Sequence, residues 1–275
     1  MYLTVVAGLL LIPSLLSPAL QVEMLSRILH RDLANPNHKT NLHFHYDMSL
    51  DRSSATSDGL PMWDIHPYGQ SFFGEDPSTK FQPKDSLVHK EVSMKRALEK
   101  KLRWVTLGGQ YDWTAKEYPR ERPPPFPADI AGVLRLLFPQ VDPQAAILNF
   151  YSPKDTLSVH RDVSEECDHG LISLSFGCDA IFVVGNEDGS ETATIRLCSG
   201  DALYMSNPSR FAWHGVPKVV AGTCPEWLEQ WPMVGEMGST FEQWKGWMAG
   251  KRINLNVRQM SDNSTTACGQ LSPPN

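Results

Sequence analysis

Residues Ile147 to Asp162 read ILNFYSPKDTLSVHRD and end in His160-Arg161-Asp162. In an extended strand, side chains two apart point to one face, so this imidazole and this carboxylate meet the same cavity. A second imidazole follows in Trp213-His214-Gly215. Two histidines and one carboxylate on one side of a metal leave its other positions open, which suits non-haem Fe(II) working on O2. His-x-Asp alone is a weak signal, and its value depends on what else the chain gathers around it.

The last strand offers a second set of polar groups. From Lys251 to Gln259 the sequence alternates, with Arg252, Asn254, Asn256 and Arg258 on one face and Ile253, Leu255 and Val257 on the other. An ordinary half-buried strand turns such a polar face to water. Two arginines and two asparagines equally suit an interior that binds a dicarboxylate. Arg252 and Arg258 lie roughly 20 Å apart along a strand. Their long side chains can reach the two ends of one small dianion, but not a single carboxylate oxygen.

A third feature is a change of charge. The chain carries a net charge of −6, so any nucleic-acid binding must be local. Between Lys80 and Arg103, Lys80, Lys84, Lys90, Lys95, Arg96, Lys100, Lys101 and Arg103 face only Asp85, Glu91 and Glu99, a local +5. A solvated helix face explains this as well as a phosphate footprint does. The next residues, Leu102 to Trp113, interleave Trp104, Tyr111 and Trp113 with glycines. Unpaired bases are recognised by aromatic faces beside a cationic track, although each ring taken singly can be core packing. His43 and His45 form an H-x-H pair, but no third ligand is evident and we expect ordinary packing there.

The elements that must position these groups follow from pattern. Leu3 to Leu16 is apolar but too short to span a bilayer and has no basic residue before it. It reads as a buried strand running into a helix that starts at Ser17-Pro18. Residues 35–82 read as loops, Ser93 to Lys101 as a short helix, and Pro123 to Pro127 as a stiff connector to a helix over Ala128 to Phe138. Short strands are expected over 171–177, 180–184, 192–197, 202–205 and 210–216, which indicates a barrel or sandwich. The segment 219–250 is an irregular insert with a helix expected over Phe241 to Met248. The 275 residues, 41% hydrophobic and 20% charged, are ordinary globular composition. Five scattered cysteines without a C-x-x-C pair point to a reducing compartment and against a disulfide scaffold or a structural zinc site.

Taken in order, Asn149-x-Tyr151, His160-x-Asp162, Ser209-Arg210…His214 and Arg252-x-Asn254-x-x-x-Arg258 resemble the AlkB family of Fe(II)/2-oxoglutarate dioxygenases. The likeness covers about Leu102 to Met260 and is greatest to the eukaryotic first AlkB homologue branch. It implies a mainly β chain with flanking helices around a double-stranded β-helix, or jelly-roll, core. It implies Fe(II) on His160, Asp162 and His214. It places 2-oxoglutarate at Arg252, with Asn149, Tyr151, Asn254 and Arg258 completing that site, and O2 as the other co-substrate. Trp104, Tyr111, Trp113, Ser164 and Arg210 take the substrate side. Bacterial members carry an acidic residue where this chain has Ser164, so their base preference does not transfer.

The implied activity is oxidative demethylation of nucleobases in RNA, especially tRNA (1-methyladenosine), or in single-stranded or flipped DNA, releasing succinate, CO2 and formaldehyde. The expected organisation is an N-terminal strand and buttressing helix (1–34), a loop-rich nucleotide-recognition region (35–127), the dioxygenase core (128–260) and a disordered tail (261–275). The expected setting is a monomer inside the cell, in cytoplasm, nucleus or mitochondrion, away from membranes. Two other readings remain: a 2-oxoglutarate-dependent hydroxylase acting on protein, which leaves the basic run and the Trp104/Tyr111 pair idle, and a non-enzymatic jelly-roll binding module.

Overall fold

The alternating strand β12, Arg252–Arg258, is the middle of the molecule. In the computed structural model, which describes residues 6–48, 71–119, 121–186, 188–233 and 238–262, it pairs antiparallel with β5 (Ala145–Tyr151) and β7 (Leu171–Gly177). All seven of its residues are buried. Ile253, Leu255 and Val257 enter the apolar core. The polar face is also inward, so it bounds a cavity between sheets rather than meeting water. β7 alternates in step: Ser175 lies across from Asn254 and Ser173 across from Asn256, while Leu174 faces Leu255. Small hydroxyl side chains there leave the cavity open and supply hydrogen-bond partners.

β10 (Ala202–Met205) and β1 (Leu9–Ile12) extend the sheet beyond β7, and β4 (Trp104–Gly108) extends it beyond β5. The order is β1-β10-β7-β12-β5-β4. A second sheet holds β6 (Leu157–His160), β11 (Trp213–Val219), β8 (Ala180–Gly185) and β9 (Thr192–Leu197), in the order β6-β11-β8-β9. Leu171, Phe182, Val184, Met205 and Val216 form the apolar layer that joins the two. This is the expected jelly roll. The segments 1–34 and 35–127 contribute β1 and β4 to the same sheet as the core strands, so they are built into one β-structure.

Helices cover the outer face of the larger sheet. α1 (Pro18–Ser26) starts where Ser17 accepts a hydrogen bond from the Leu20 amide, and continues as a π-helical turn, Arg27–Asp32. Leu25, Ile28 and Leu29 join Ile130 and Leu134 of α3 (Ala128–Leu137) in the main core. Arg27 and Arg31 pair with Asp129 at 2.6 and 2.7 Å, tying the two helices together.

Several expected boundaries move. Ser93 caps α2 (Met94–Arg96), which passes into a π-helical turn over Ala97–Lys101. A hairpin of β2 (Lys80–Phe81) and β3 (Val92–Ser93) carries the first part of the basic run, and α2 with its π-helical turn carries Lys95, Arg96, Lys100 and Lys101. The strand expected over 210–216 starts only at Trp213, because Asn207–Ser209 forms a 3-10 turn around Pro208. The helix expected over Phe241 to Met248 is two 3-10 turns broken at Gly246, whose φ of 78° no helix accommodates. The insert also carries α4 (Glu226–Glu229). Its Trp231, Trp244 and Trp247 pack edge-on around Phe73 at 5.0–5.2 Å. Residues 49–70 of the expected loop region and 263–275 of the expected tail lie outside the described residues.

Candidate metal centre and co-substrate cavity

His160 and His214 lie directly across from each other on β6 and β11. Their rings sit 4.5 Å apart between centroids. Close approach of the two strands needs Gly215, because a Cβ there would stand 2.9 Å from the Leu157 carbonyl oxygen. Asp162 follows two residues after His160, and one donor atom from each of the three lies within 4.8 Å of the others. No other group of three such side chains is found among the described residues.

The protonation pattern suits a metal. His160 Nδ1 meets the Ser158 carbonyl oxygen at 2.9 Å, and His214 Nδ1 meets that of Ala212 at 3.0 Å. A carbonyl only accepts, so both Nδ1 atoms donate and both Nε2 lone pairs are left for a cation. Burial pushes the His214 pKa down, which favours the neutral ligand form over the opposing pull of Asp162. Burial alone would raise the Asp162 pKa. The Arg258 charge, helped by His214 and by the Arg258 hydrogen bond, overrides it and holds this carboxyl well below the usual carboxylate range.

Asp162 is held from several sides. Asn256 Nδ2 donates to Oδ2 at 3.1 Å and Arg258 Nη2 at 2.8 Å. Arg258 also meets Glu165 at 3.0 Å and the Tyr118 hydroxyl at 3.1 Å. Glu165 pairs in turn with Arg210 at 2.8 Å. Arg210, expected on the substrate side, sits elsewhere: it is 2% exposed and donates to the main-chain oxygens of Asp162 and His169 at 2.8 and 2.7 Å. A guanidinium offers five donors in a planar fork, so one buried arginine can pin a whole loop. It braces the metal loop from behind. Asn256 stands out in the sequence as part of a dicarboxylate-binding face, and the structure turns it to Asp162 instead; Glu165 and Tyr118 do not stand out in the sequence, because their partners are remote in the chain.

The triad opens into a cavity of about 470 Å³ between the sheets, lined also by Asn149, Ser173, Arg252, Asn254 and Arg258. Arg252 lies across from Tyr151, and Asn254 across from Asn149. The Arg252 guanidinium lies 5.3 Å from the Tyr151 ring centroid and donates only to Ser175 Oγ, at 3.3 Å. Its Nε and Nη1 are buried without a partner. A buried cation with unpaired donors is unstable unless an anion completes it. Asn254 donates to Ser173 Oγ and the Leu174 carbonyl at 2.7 and 3.1 Å, which fixes its amide at the wall. One end of the cavity is thus fitted for a metal and the other for a carboxylate, as Fe(II) and the dianion 2-oxoglutarate require. Arg258 serves the metal end, already matched to two carboxylates, so the two arginines have different partners.

Tyr111, Trp113 and Ser164 also line the cavity. Ser164 Oγ lies 3.4 Å from the Tyr111 hydroxyl. Trp104 stands behind, its ring 4.9 Å from that of Trp113 and tilted by 30°. Part of the basic run is neutralised: Lys80 pairs with Glu91 and Lys95 with Glu99 inside it, and Arg103 pairs with Asp155 outside it. His43 Nδ1 caps Thr40 and its pKa is pushed down by burial to about 4, while the His45 ring packs on His89, in keeping with ordinary packing at the H-x-H pair.

The chain matches the model of the 2OG-Fe(II) oxygenase superfamily over residues 8–258. It is 50% identical to the N6-methyladenosine RNA demethylase ALKB1 of Pyricularia oryzae, over 95% of this chain and 76% of that protein. It is 39% identical to the tRNA demethylase abh1 of Schizosaccharomyces pombe, over 92% of this chain and 79% of that protein. The solved structure of OsALKBH1 superposes with a TM-score of 0.56 at 18% identity, covering 94% of this chain and 100% of that one, a likeness of fold. The chain belongs to the 2OG-Fe(II) oxygenase superfamily, and within it to the AlkB homologue 1 branch that these relatives represent.

Proposed function

We propose that this chain removes the methyl group of N6-methyladenosine in RNA by oxidation, using Fe(II), 2-oxoglutarate and O2. One observation carries the reading: the His160–Asp162–His214 triad and the unpaired Arg252 guanidinium share one cavity, and aromatic side chains line it beside them. The choice of base and polymer follows the Pyricularia relative. A second choice, 1-methyladenosine in tRNA, is favoured by the fission-yeast relative.

His160 Nε2, His214 Nε2 and an Asp162 oxygen would hold the iron. Bound iron with its two co-substrates supplies the oxidation of the methyl carbon, which leaves as formaldehyde while 2-oxoglutarate becomes succinate and CO2. Everything else falls to the side chains. Arg252 pairs with the distal carboxylate of 2-oxoglutarate, and Asn149 and Asn254 border its chain. Arg258 and Asn256 keep Asp162 ionised and correctly turned. Tyr111 and Trp113 offer faces on which the methylated base can stack, and Ser164 offers a hydroxyl to its edge. A base paired in a duplex cannot reach a cavity between two sheets, so the substrate is single-stranded or flipped.

The same reading makes the protein a monomeric enzyme of the cell interior, in cytoplasm, nucleus or mitochondrion. No helix among the described residues is long and apolar enough to cross a membrane. The test is mass spectrometry of short RNA strands, each with one N6-methyladenosine or one 1-methyladenosine, after incubation with the iron-loaded chain. Loss of the N6-methyl group that requires 2-oxoglutarate supports the first choice, and loss of the N1-methyl group alone supports the second. Turnover of neither, with succinate formed on a peptide, contradicts both.

A further inference from the structure

The cavity has a second edge, on the smaller sheet, that the proposed chemistry does not use. Because His160 lies across from His214, their chain neighbours Arg161 and Trp213 also meet, with the guanidinium 5.7 Å from the indole centroid. Residues alternate in direction along these strands, so Val159 of β6 and Trp213 of β11, next to the inward-facing ligands, turn outward, while Arg161 lies just past the end of β6. Val159 is 56% exposed, Val163 55% and Trp213 41%. Phe211, with Arg210 4.8 Å from its ring centroid, adds a further exposed ring. Arg161 also lines the cavity that holds the triad, so the patch is continuous with the active site.

An exposed apolar patch beside a catalytic cavity marks a surface that something covers. The chemistry here is a flat aromatic face with a cation next to it. That pair matches a nucleotide: the indole stacks on a base, and the guanidinium pairs with a phosphate oxygen. Stacking needs an unpaired base, which excludes an intact duplex. The Tyr111 and Trp113 side is supplied by the segment after β4 of the larger sheet, so the two sheets place an aromatic group on each side of the mouth.

We infer that Arg161 and Trp213 form a second nucleotide subsite, which binds the nucleotide adjoining the methylated one in a single strand. Trp213 stacks on that base and Arg161 pairs with a neighbouring phosphate. The inference rests on the nucleic-acid reading above and adds to it a preference for oligonucleotides over isolated nucleotides.

The test is fluorescence anisotropy with the full chain, loaded with iron and 2-oxoglutarate and kept free of O2 so that the probe survives. The probes are a labelled nine-nucleotide single-stranded RNA with one central N6-methyladenosine, and the N6-methyladenosine mononucleotide as its competitor. Trp213→Ala should weaken binding of the nine-nucleotide strand on the order of tenfold or more. It should leave competition by the mononucleotide within about twofold. Trp213→Tyr, which keeps a stacking face, should stay near wild type. Arg161→Gln should lower the slope of log Kd against log salt by about 0.7, one phosphate on a single strand. Melting temperatures of the variants show that the fold holds, and the tyrosine variant guards against a packing defect.

If the wild type binds and demethylates the strand while Trp213→Ala and Arg161→Gln bind it within twofold of wild type, the subsite is rejected and the proposed function stands. An equal loss for strand and mononucleotide also rejects the subsite, because the substitution has then reached the base pocket. If the wild type binds neither probe, both the subsite and the nucleic-acid reading fall.

Discussion

Arg252 carries a full positive charge into the interior with two of its nitrogens unpartnered. Burial pulls its pKa down, against the smaller opposing effect of Tyr151, but from so high a start that it stays charged. Replacing it by glutamine removes the counter-charge for the distal carboxylate. We expect the KM for 2-oxoglutarate to rise by about thirtyfold or more, as for loss of one partner of a buried ion pair. Succinate formation against 2-oxoglutarate concentration checks this, and an unchanged KM would place the carboxylate elsewhere. Asn256 acts at the other end, through its 3.1 Å hydrogen bond to Asp162. Asn256→Ala should weaken divalent-metal affinity roughly tenfold to a hundredfold, the usual effect of losing a partner that orients a ligand. Titration with Co(II), read by its absorption, is the measurement. At this scale the sequence was informative where spacing sets direction: His160 and Asp162 are two apart, and the four polar residues of β12 follow the same rule. It misled at Arg210, because nothing in Ser209-Arg210 tells an arginine facing substrate from one consumed by Glu165 and two main-chain oxygens.

Among the elements, β12 matters most, since its two faces serve the core and the cavity at once. Leu255 is fully buried between Leu148 of β5 and Leu174 of β7. Leu255→Ala should cost about 2–5 kcal/mol of stability through lost contact and a residual cavity. Because Asn254 and Asn256 flank it, metal affinity should fall with stability; chemical denaturation and Co(II) titration on the same variant check both. Strands with period-two patterns could be found in the sequence because one face is apolar, as in Leu171 to Gly177. The insert from 219 to 250 could not, because its tryptophans pack around Phe73, which is remote from them in the chain. The π-helical turns after α1 and α2 were equally hidden, since a local apolar stripe does not distinguish them from an α-helix.

Over the whole molecule, stability depends on the packing of the N-terminal helical layer against the insert. His30 is buried among Phe73, Trp231 and Phe241, with Nδ1 2.8 Å from Ser71 Oγ. Burial lowers its pKa from 6.5 to about 3. The unfolded chain therefore binds a proton that the folded chain refuses between those values. Stability from this group is complete above pH 6.5 and is lost as the pH falls towards 3. At pH 5 the loss is about 2 kcal/mol. His30→Phe keeps a ring in the aromatic cluster and should flatten the dependence of unfolding free energy on pH between 7 and 5. Urea melts at the two pH values show it, and an unchanged slope would mean that His30 does not carry the effect. The jelly-roll architecture followed from the ordered motifs, but the joining of 1–34 and 35–127 to the same sheet did not, since β1 and β4 are edge strands whose partners lie far along the chain. The central claim is that one cavity couples 2-oxoglutarate to a methylated base. The most direct test counts succinate and formaldehyde made by the iron-loaded chain on single-stranded RNA with one N6-methyladenosine, beside an unmethylated strand. The account predicts equal amounts of the two products, only on the methylated strand, and none from His160→Ala. Succinate that forms equally on both strands, without formaldehyde, would contradict it.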